Sequence, residues 1–261
     1  MLHSIIIGNS NSPTLIILHG LFGESRNWQG CANILSDDFE VHLVDLRNHG
    51  DSFHSSEHNY KVMALDLEQY IHDRHLKNFS IIGHSMGGKV AMQYACLDNF
   101  NTLNKLIIVD IAPKDYIEDH SYIFNGIDKV LMSSKSRKNA FVLLNSFVKN
   151  EIISNFLLKS FSINSEGETS FKFNVKAIKN NINKITSNIN VYRSFSKEVY
   201  FLSGEYSSYI KSNDYASMSS IFPSMRIIKI PKAGHWVHYE NKDYFLNIVQ
   251  KCLLSPQLLD E

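Results

Sequence analysis

The segment Gly83-His84-Ser85-Met86-Gly87 constrains this chain more than any other. It follows the apolar run Phe79-Ser80-Ile81-Ile82 and leads into a helix-like stretch over residues 89–97. A serine between two glycines at a strand-to-helix junction is the pattern of a nucleophile elbow. The turn is so tight that side chains two positions either side of the serine would collide with backbone, and Gly83 and Gly87 supply the room. Such a turn lifts the Ser85 hydroxyl above the carboxyl end of a sheet, next to the free N–H groups and positive dipole end of a helix. The pattern alone is weak, because a Gly-rich turn before an ordinary helix reads the same. Its placement and its partners decide for the catalytic reading.

Short apolar runs recur at residues 4–7, 14–18, 40–45, 79–82, 105–110, 199–203 and 225–230, with helical patterns at 61–76, 89–97, 214–221 and 242–254. Most of the runs are continuously apolar, as in strands covered on both faces. Alternation of strand and helix implies an α/β fold with a mostly parallel twisted sheet flanked by helices. Ligands in such sheets sit beyond the carboxyl ends of the strands. Residues 114–196 break the alternation. They hold no convincing strand run, only helical stretches at 122–132, 139–148, 152–161 and 176–185, with a polar turn at 164–168. The expected organisation is therefore a core of residues 1–113 and 197–261 with a helical cap, 114–196, inserted in it. Phe124, Phe141, Phe147, Phe156, Leu157 and Phe161 are expected to fill the cap core, some of them facing the site as an apolar acyl pocket.

A serine hydroxyl needs a neighbouring base. His235, in Ala233-Gly234-His235-Trp236-Val237-His238, lies after the last strand, where the base is expected in the order Ser, acid, His. His238 is expected to pack or cap rather than bind a metal, because no H-E-x-x-H pattern or carboxylate cluster accompanies it. The base in turn needs an acid to fix its tautomer. The commonest place, the loop after the strand at 199–203, reads Gly204-Glu205-Tyr206-Ser207-Ser208-Tyr209 and offers a hydroxyl there instead of an Asp. Asp110, at the end of the strand beside the nucleophile strand, is the preferred acid; Glu205 is the fallback, and Asp214 the third choice. The oxyanion hole is expected from the backbone N–H of Met86 and of Leu21 in His19-Gly20-Leu21-Phe22-Gly23, with Phe22 as fallback donor. His19 reads as a hydrogen-bonding brace. The segment Asp45-Leu46-Arg47-Asn48-His49-Gly50-Asp51-Ser52 reads as a loop brace in which Asp45 takes backbone N–H groups, Arg47 pairs locally and Ser52 caps.

The 261 residues carry 26 basic and 26 acidic side chains with no basic stripe, which argues against nucleic acid and anionic membrane as partners. Three widely spaced cysteines, Cys31, Cys96 and Cys252, read as thiols of a reducing compartment. The N-terminus lacks the pattern of a signal peptide, and no run approaches the ~20 apolar residues of a membrane span, so a cytoplasmic location is expected.

These residues resemble the α/β-hydrolase superfamily across nearly the whole chain, through L-H-G-L-F-G at 18–23, D-L-R-N-H-G at 45–50, G-H-S-M-G-G-K at 83–89 and G-H-W-V-H at 234–238. The V-D-I-A-P segment at 109–113, F-L-L-K-S-F at 156–161 and F-N-V at 173–175 narrow the resemblance to the YbfF-like group of bacterial esterases. That resemblance implies an acid on the V-D-I-A-P strand, hence Asp110. It also implies hydrolysis of a small-molecule acyl ester, or of an acyl-CoA thioester, with no cofactor and no metal. The oligomeric state is left open. The rival readings are a carbon–carbon hydrolase or a lyase of the menaquinone-pathway type, which usually keeps the late Asp missing here, and a non-catalytic binding module. Dehalogenases and epoxide hydrolases need a carboxylate where Ser85 stands. A Ser–His mechanism predicts an acidic limb in the pH–rate profile at about pH 6–7.

Overall fold

The computed structural model describes residues 1–97 and 102–259; the expected core spans also contain 98–101 and 260–261, which lie outside them. Seven strands form one sheet in the order β1-β3-β2-β4-β5-β8-β9: β1 (Ser4–Ile7), β2 (Thr14–Leu18), β3 (Glu40–Val44), β4 (Phe79–His84), β5 (Leu103–Val109), β8 (Val199–Gly204) and β9 (Met225–Ile230). Only the edge strand β1 runs antiparallel, against β3; the other pairs are parallel. Alternate strand residues serve opposite faces. Ile16, Leu18, Ile81, Leu106 and Ile108 pack with α2 (Tyr60–Asp73) and α3 (Met86–Ala95). Leu15, Ile17, Ile82, Ile107 and Val109 pack with α1 (Gln29–Leu35) and α11 (Lys242–Leu254) on the other face. Burial on both faces is why these strands read as unbroken apolar runs.

The order in which strands are added reverses between β2 and β4, with β3 beyond β2 on one side and β5, β8 and β9 beyond β4 on the other. The crevice at such a reversal opens at the carboxyl ends of the strands. The elbow after β4, the loop after β2, Asp110 after β5 and the loop after β9 all emerge there. Helix α9 (Tyr215–Ile221) and the short α10 (Val237–Glu240) complete the layers. Among the described residues no helix is long and apolar enough to cross a membrane.

Between β5 and β8 the chain forms α4 (Ser121–Ser133), α5 (Arg137–Val148), α6 (Glu151–Leu158), α7 (Val175–Asn180) and α8 (Ile182–Thr186). Side chains of Ser136, Asn150 and Asn174 accept the N–H groups that open α5, α6 and α7. Two expectations fail in this segment. It does contain strands: β6 (Phe161–Ile163) and β7 (Thr169–Phe171) pair as a hairpin closed by the polar turn at 164–168. Three-residue strands are too short to show alternation, and pairing of Phe161 with Phe171 ends α6 earlier than its apolar pattern suggests. The single helix expected over 176–185 also divides at Asn181, whose amide turns aside to donate to the carbonyls of Ser56 and Ala177. Phe124, Leu157 and Phe161 form a core of their own with Phe22 from the loop after β2, whereas Phe147 is exposed.

Candidate active site

Ser85 joins β4 to α3 with φ 51° and ψ −119°, a conformation that a non-glycine residue adopts only when its surroundings enforce it. The enforcement is visible. The Ser85 N–H donates to the Val109 carbonyl at 3.0 Å, and its own carbonyl accepts from Lys89 N–H at 3.1 Å. A Cβ on Gly83 would stand 2.5 Å from the Gly87 carbonyl oxygen, and one on Gly87 would stand 2.5 Å from those of Leu18 and His19. Neither residue could carry a side chain without opening the elbow.

The N–H groups of Met86 and Leu21 have no acceptor among the described residues. Both residues border the cavity that Ser85 lines. Phe22 is different: its N–H donates to His49 Nε2 at 3.1 Å, so the fallback donor is already engaged. The loop that presents Leu21 is braced by His19, which accepts Leu46 N–H on Nε2 at 3.1 Å and donates from Nδ1 to the Gly20 carbonyl at 2.8 Å. Burial lowers the His19 pKa, in keeping with this neutral tautomer.

Asp110 is fully buried at the end of β5, in a left-handed backbone conformation with φ 52° that Asp tolerates. Three donors converge on its carboxylate: Gly204 N–H on Oδ1 at 3.0 Å, Ser207 Oγ–H on Oδ2 at 2.5 Å and His235 Nδ1–H on Oδ2 at 2.8 Å. With its proton on Nδ1, His235 leaves Nε2 free to accept. His235 and Ser85 line the same cavity. The two other acid candidates stand elsewhere. Glu205 accepts Lys232 N–H at 2.8 Å, and Asp214 pairs with Lys114 at 2.5 Å and accepts Lys211 N–H at 2.8 Å. Neither lines the cavity.

Sequence reasoning missed four side chains at this site. Ser207 occupies the loop where an Asp was sought and spends its hydroxyl on Asp110. The Tyr209 ring lies stacked on the His235 imidazole, centroids 3.9 Å apart at 17°. His84 donates from Nε2 to the His235 carbonyl at 3.0 Å, and burial holds its pKa well below the ordinary histidine value. Lys89, fully buried on α3, donates to the carbonyls of Lys114 and Ser187 at 2.7 and 2.6 Å, on the entering and leaving segments of the insertion. Burial pushes its pKa down to about 7. Lys89 and His84 had a signal, as members of G-H-S-M-G-G-K, and so did Ser207, as a hydroxyl standing where an Asp is commonest. His238 packs, stacked 4.0 Å from Trp28; burial lowers its pKa to about 3.

In the Asp45 loop, Asp45 accepts the N–H groups of Ser25 and Asp51 at 2.6 and 3.0 Å. Arg47 pairs with Asp66 on α2 through two bonds of 2.5 and 2.8 Å. Ser52 does not cap a helix. It links the Asp45 carbonyl, at 2.6 Å, to His3 N–H, at 2.8 Å. This is bracing: none of residues 45–52 lines the cavity, while Leu46 and His49 hold the loop after β2 through His19 and Phe22.

The cavity has a volume of about 180 Å³. Its apolar wall comes from Leu21, Ile123, Ile153, Phe156 and Leu157, and its polar wall from Tyr116, Glu118, His120 and Thr186. The insertion supplies all of these but Leu21, and the core supplies most of the rest of the lining, from the loops after β2, β4 and β9 among others.

Residues 13–242 match the family described as alpha/beta hydrolase fold. The chain is 37% identical to a putative esterase/lipase of Haemophilus influenzae, over 93% of this chain and 84% of that one. It is 33% identical to the esterase YbfF of Escherichia coli, over 94% of each. A solved structure described as a marine microorganism esterase superposes with a TM-score of 0.91 at 36% identity, covering 96% of this chain and 98% of that one.

Proposed function

Because the chain belongs to the alpha/beta hydrolase fold family, and within it to the YbfF-like esterase group, we propose that it is a serine hydrolase cleaving small carboxylic esters through an acyl-enzyme. Relatives bearing esterase names support ester hydrolysis on this fold. The serine mechanism rests on one observation above the others: His235 is tied through Nδ1 to a fully buried carboxylate, Asp110, at the cavity that Ser85 also lines.

In this reading Ser85 Oγ attacks the acyl carbon while His235 Nε2 takes its proton. Asp110 holds the imidazole in the required tautomer and balances the imidazolium. The N–H groups of Met86 and Leu21 receive the oxyanion, each worth roughly 10²–10³ in turnover. His235 then protonates the departing alkoxide, and a water deprotonated by His235 releases the acid and restores Ser85. Residues 114–196 act as a cap that supplies one side of the cavity wall, including Ile123, Ile153, Phe156 and Leu157. A volume of about 180 Å³ is below the roughly 300–1,000 Å³ of sites for drug-sized ligands, which favours a short acyl group.

The test is a chain-length panel of p-nitrophenyl esters and acyl-CoA thioesters on wild type and Ser85→Ala, with fluorophosphonate labelling of both. The expected result is labelling at Ser85, turnover that peaks on short esters, and loss of both in Ser85→Ala. Turnover retained by Ser85→Ala would overturn the serine mechanism. A preference for the thioesters would overturn the substrate class alone.

A further inference from the structure

We infer that Tyr209 is a positioning residue for His235, its ring face supporting the imidazolium that forms when Ser85 gives up its proton; this rests on the Ser85–His235–Asp110 reading above. The two rings lie nearly parallel at 3.9 Å. A cation over a tyrosine face is attracted by the ring quadrupole, and more strongly where water is excluded. Proton uptake creates that cation only as the serine attacks, so the attraction is larger in the transition state than in the ground state.

The ring is fixed from several directions. Its hydroxyl donates to Glu118 at 3.1 Å, its N–H donates to Ser207 Oγ at 3.2 Å, and its carbonyl accepts from Tyr116 Oη at 2.9 Å. Ser207 is the residue whose hydroxyl reaches Asp110, so one short loop orients both the acid and the face of the base. Burial, with Glu118 adding to it, raises the phenol pKa far above its ordinary value and keeps the ring neutral. The titratable groups packed around His235 are Asp110 beyond β5, His84 on β4, His238 and Glu240 on α10, and Tyr209 with Glu118 behind it; Glu240 accepts the N–H groups of Gly234 and Trp236 on either side of His235. Burial disfavours charge on His84 and His238. Asp110 and Tyr209 both touch the imidazole where they favour an imidazolium, one by a hydrogen bond to Nδ1 and one on the ring face.

The experiment compares Tyr209→Phe, which keeps the aromatic face, with Tyr209→Leu, which removes it. Both are read on kcat, KM, the acidic limb of kcat/KM and thermal melting. Tyr209→Leu should lose about 5- to 30-fold in kcat with KM changed less than about twofold, and its acidic limb should move to lower pH by roughly half a unit or more. Tyr209→Phe should stay within about threefold of wild type with its limb in place. A Leu variant with wild-type kcat and limb overturns the inference. So does one whose loss appears in KM with an unmoved limb, since that marks simple packing. Should Tyr209→Leu not fold, pentafluorophenylalanine at position 209 keeps the ring outline and reverses its face charge; an unmoved limb there overturns the inference equally. Fluorophosphonate labelling of Ser85 in each variant separates the two readings. Absence of labelling in wild type condemns the serine mechanism, whereas labelling with an indifferent Tyr209 condemns this inference alone.

Discussion

Replacing Asp110 by Asn tests the site at the point where its hydrogen-bond geometry permits one answer. The carboxylate accepts from Gly204 N–H on one oxygen and from Ser207 and His235 on the other. Asparagine offers one oxygen and one NH₂. If the NH₂ faces Gly204, two donors oppose each other in a buried site, at about 1–3 kcal/mol, and a backbone N–H cannot turn away. If the NH₂ faces Ser207 and His235, the hydroxyl can rotate to accept, and the imidazole can move its proton from Nδ1 to Nε2. The second arrangement keeps every buried N–H paired and displaces only a hydroxyl proton that can rotate, so it wins. It also puts a proton on the nitrogen that must receive one from Ser85. Turnover should therefore fall by up to ~10⁴ while KM hardly moves, because Asp110 lies beneath His235 and not against substrate. The assay is steady-state hydrolysis of a short p-nitrophenyl ester, with melting temperature as the control for folding. Glu205→Gln serves as comparison, since Glu205 accepts Lys232 N–H and does not line the cavity; it should stay within about twofold of wild type. Asp110→Asn retaining more than about a tenth of wild-type kcat, or Glu205→Gln showing the large loss, would refute this reasoning.

Two further outcomes follow from the surroundings of the site. Ser207→Ala removes one of the three donors on Asp110 and leaves the carboxylate in place; kcat should fall about 5- to 30-fold, from a charge-assisted bond worth roughly 1–2 kcal/mol, and a wild-type kcat would show that the hydroxyl is a bystander. Lys89, lowered to about 7 by burial, makes stability pH-dependent: above that pH the folded form has shed a proton that the unfolded chain keeps to about pH 10.4, so the unfolded state binds more protons and stability rises with pH. Between pH 7 and 8.5 the gain should be about 1–2 kcal/mol by urea unfolding, before the buried thiols of Cys31, Cys96 and Cys252, raised to about 11, 11 and 12, begin to act in the opposite sense. Lys89→Met should flatten this window, and an unchanged slope in that variant would count against the assignment.

The α/β architecture was readable because burial on both sheet faces forces apolar residues at consecutive strand positions, as in Thr14–Leu18 and Leu103–Val109. The elbow was readable because backbone collision at Gly83 and Gly87 admits no other residue type. Leu21 and Met86 could be expected as donors because the turn next to each is determined locally. The β6–β7 hairpin was not legible, since three residues are too few for a period of two to appear.

What the linear order determined is a set of local necessities: a hydroxyl on a strained turn, an imidazole after the last strand, a carboxylate ending the strand beside the nucleophile. What only the tertiary structure decided is which groups meet. Asp110 and Glu205 are both acidic and both end a strand. The difference is that parallel pairing of β5 with β8 brings Gly204 and the Ser207 loop over Asp110, while Glu205 turns outward to Lys232. Likewise Tyr209 carries no mark of its stacking on His235. A hydrogen bond or a ring contact between segments far apart in the chain depends on sub-ångström placement by the whole packed sheet, and residue spacing does not encode that placement.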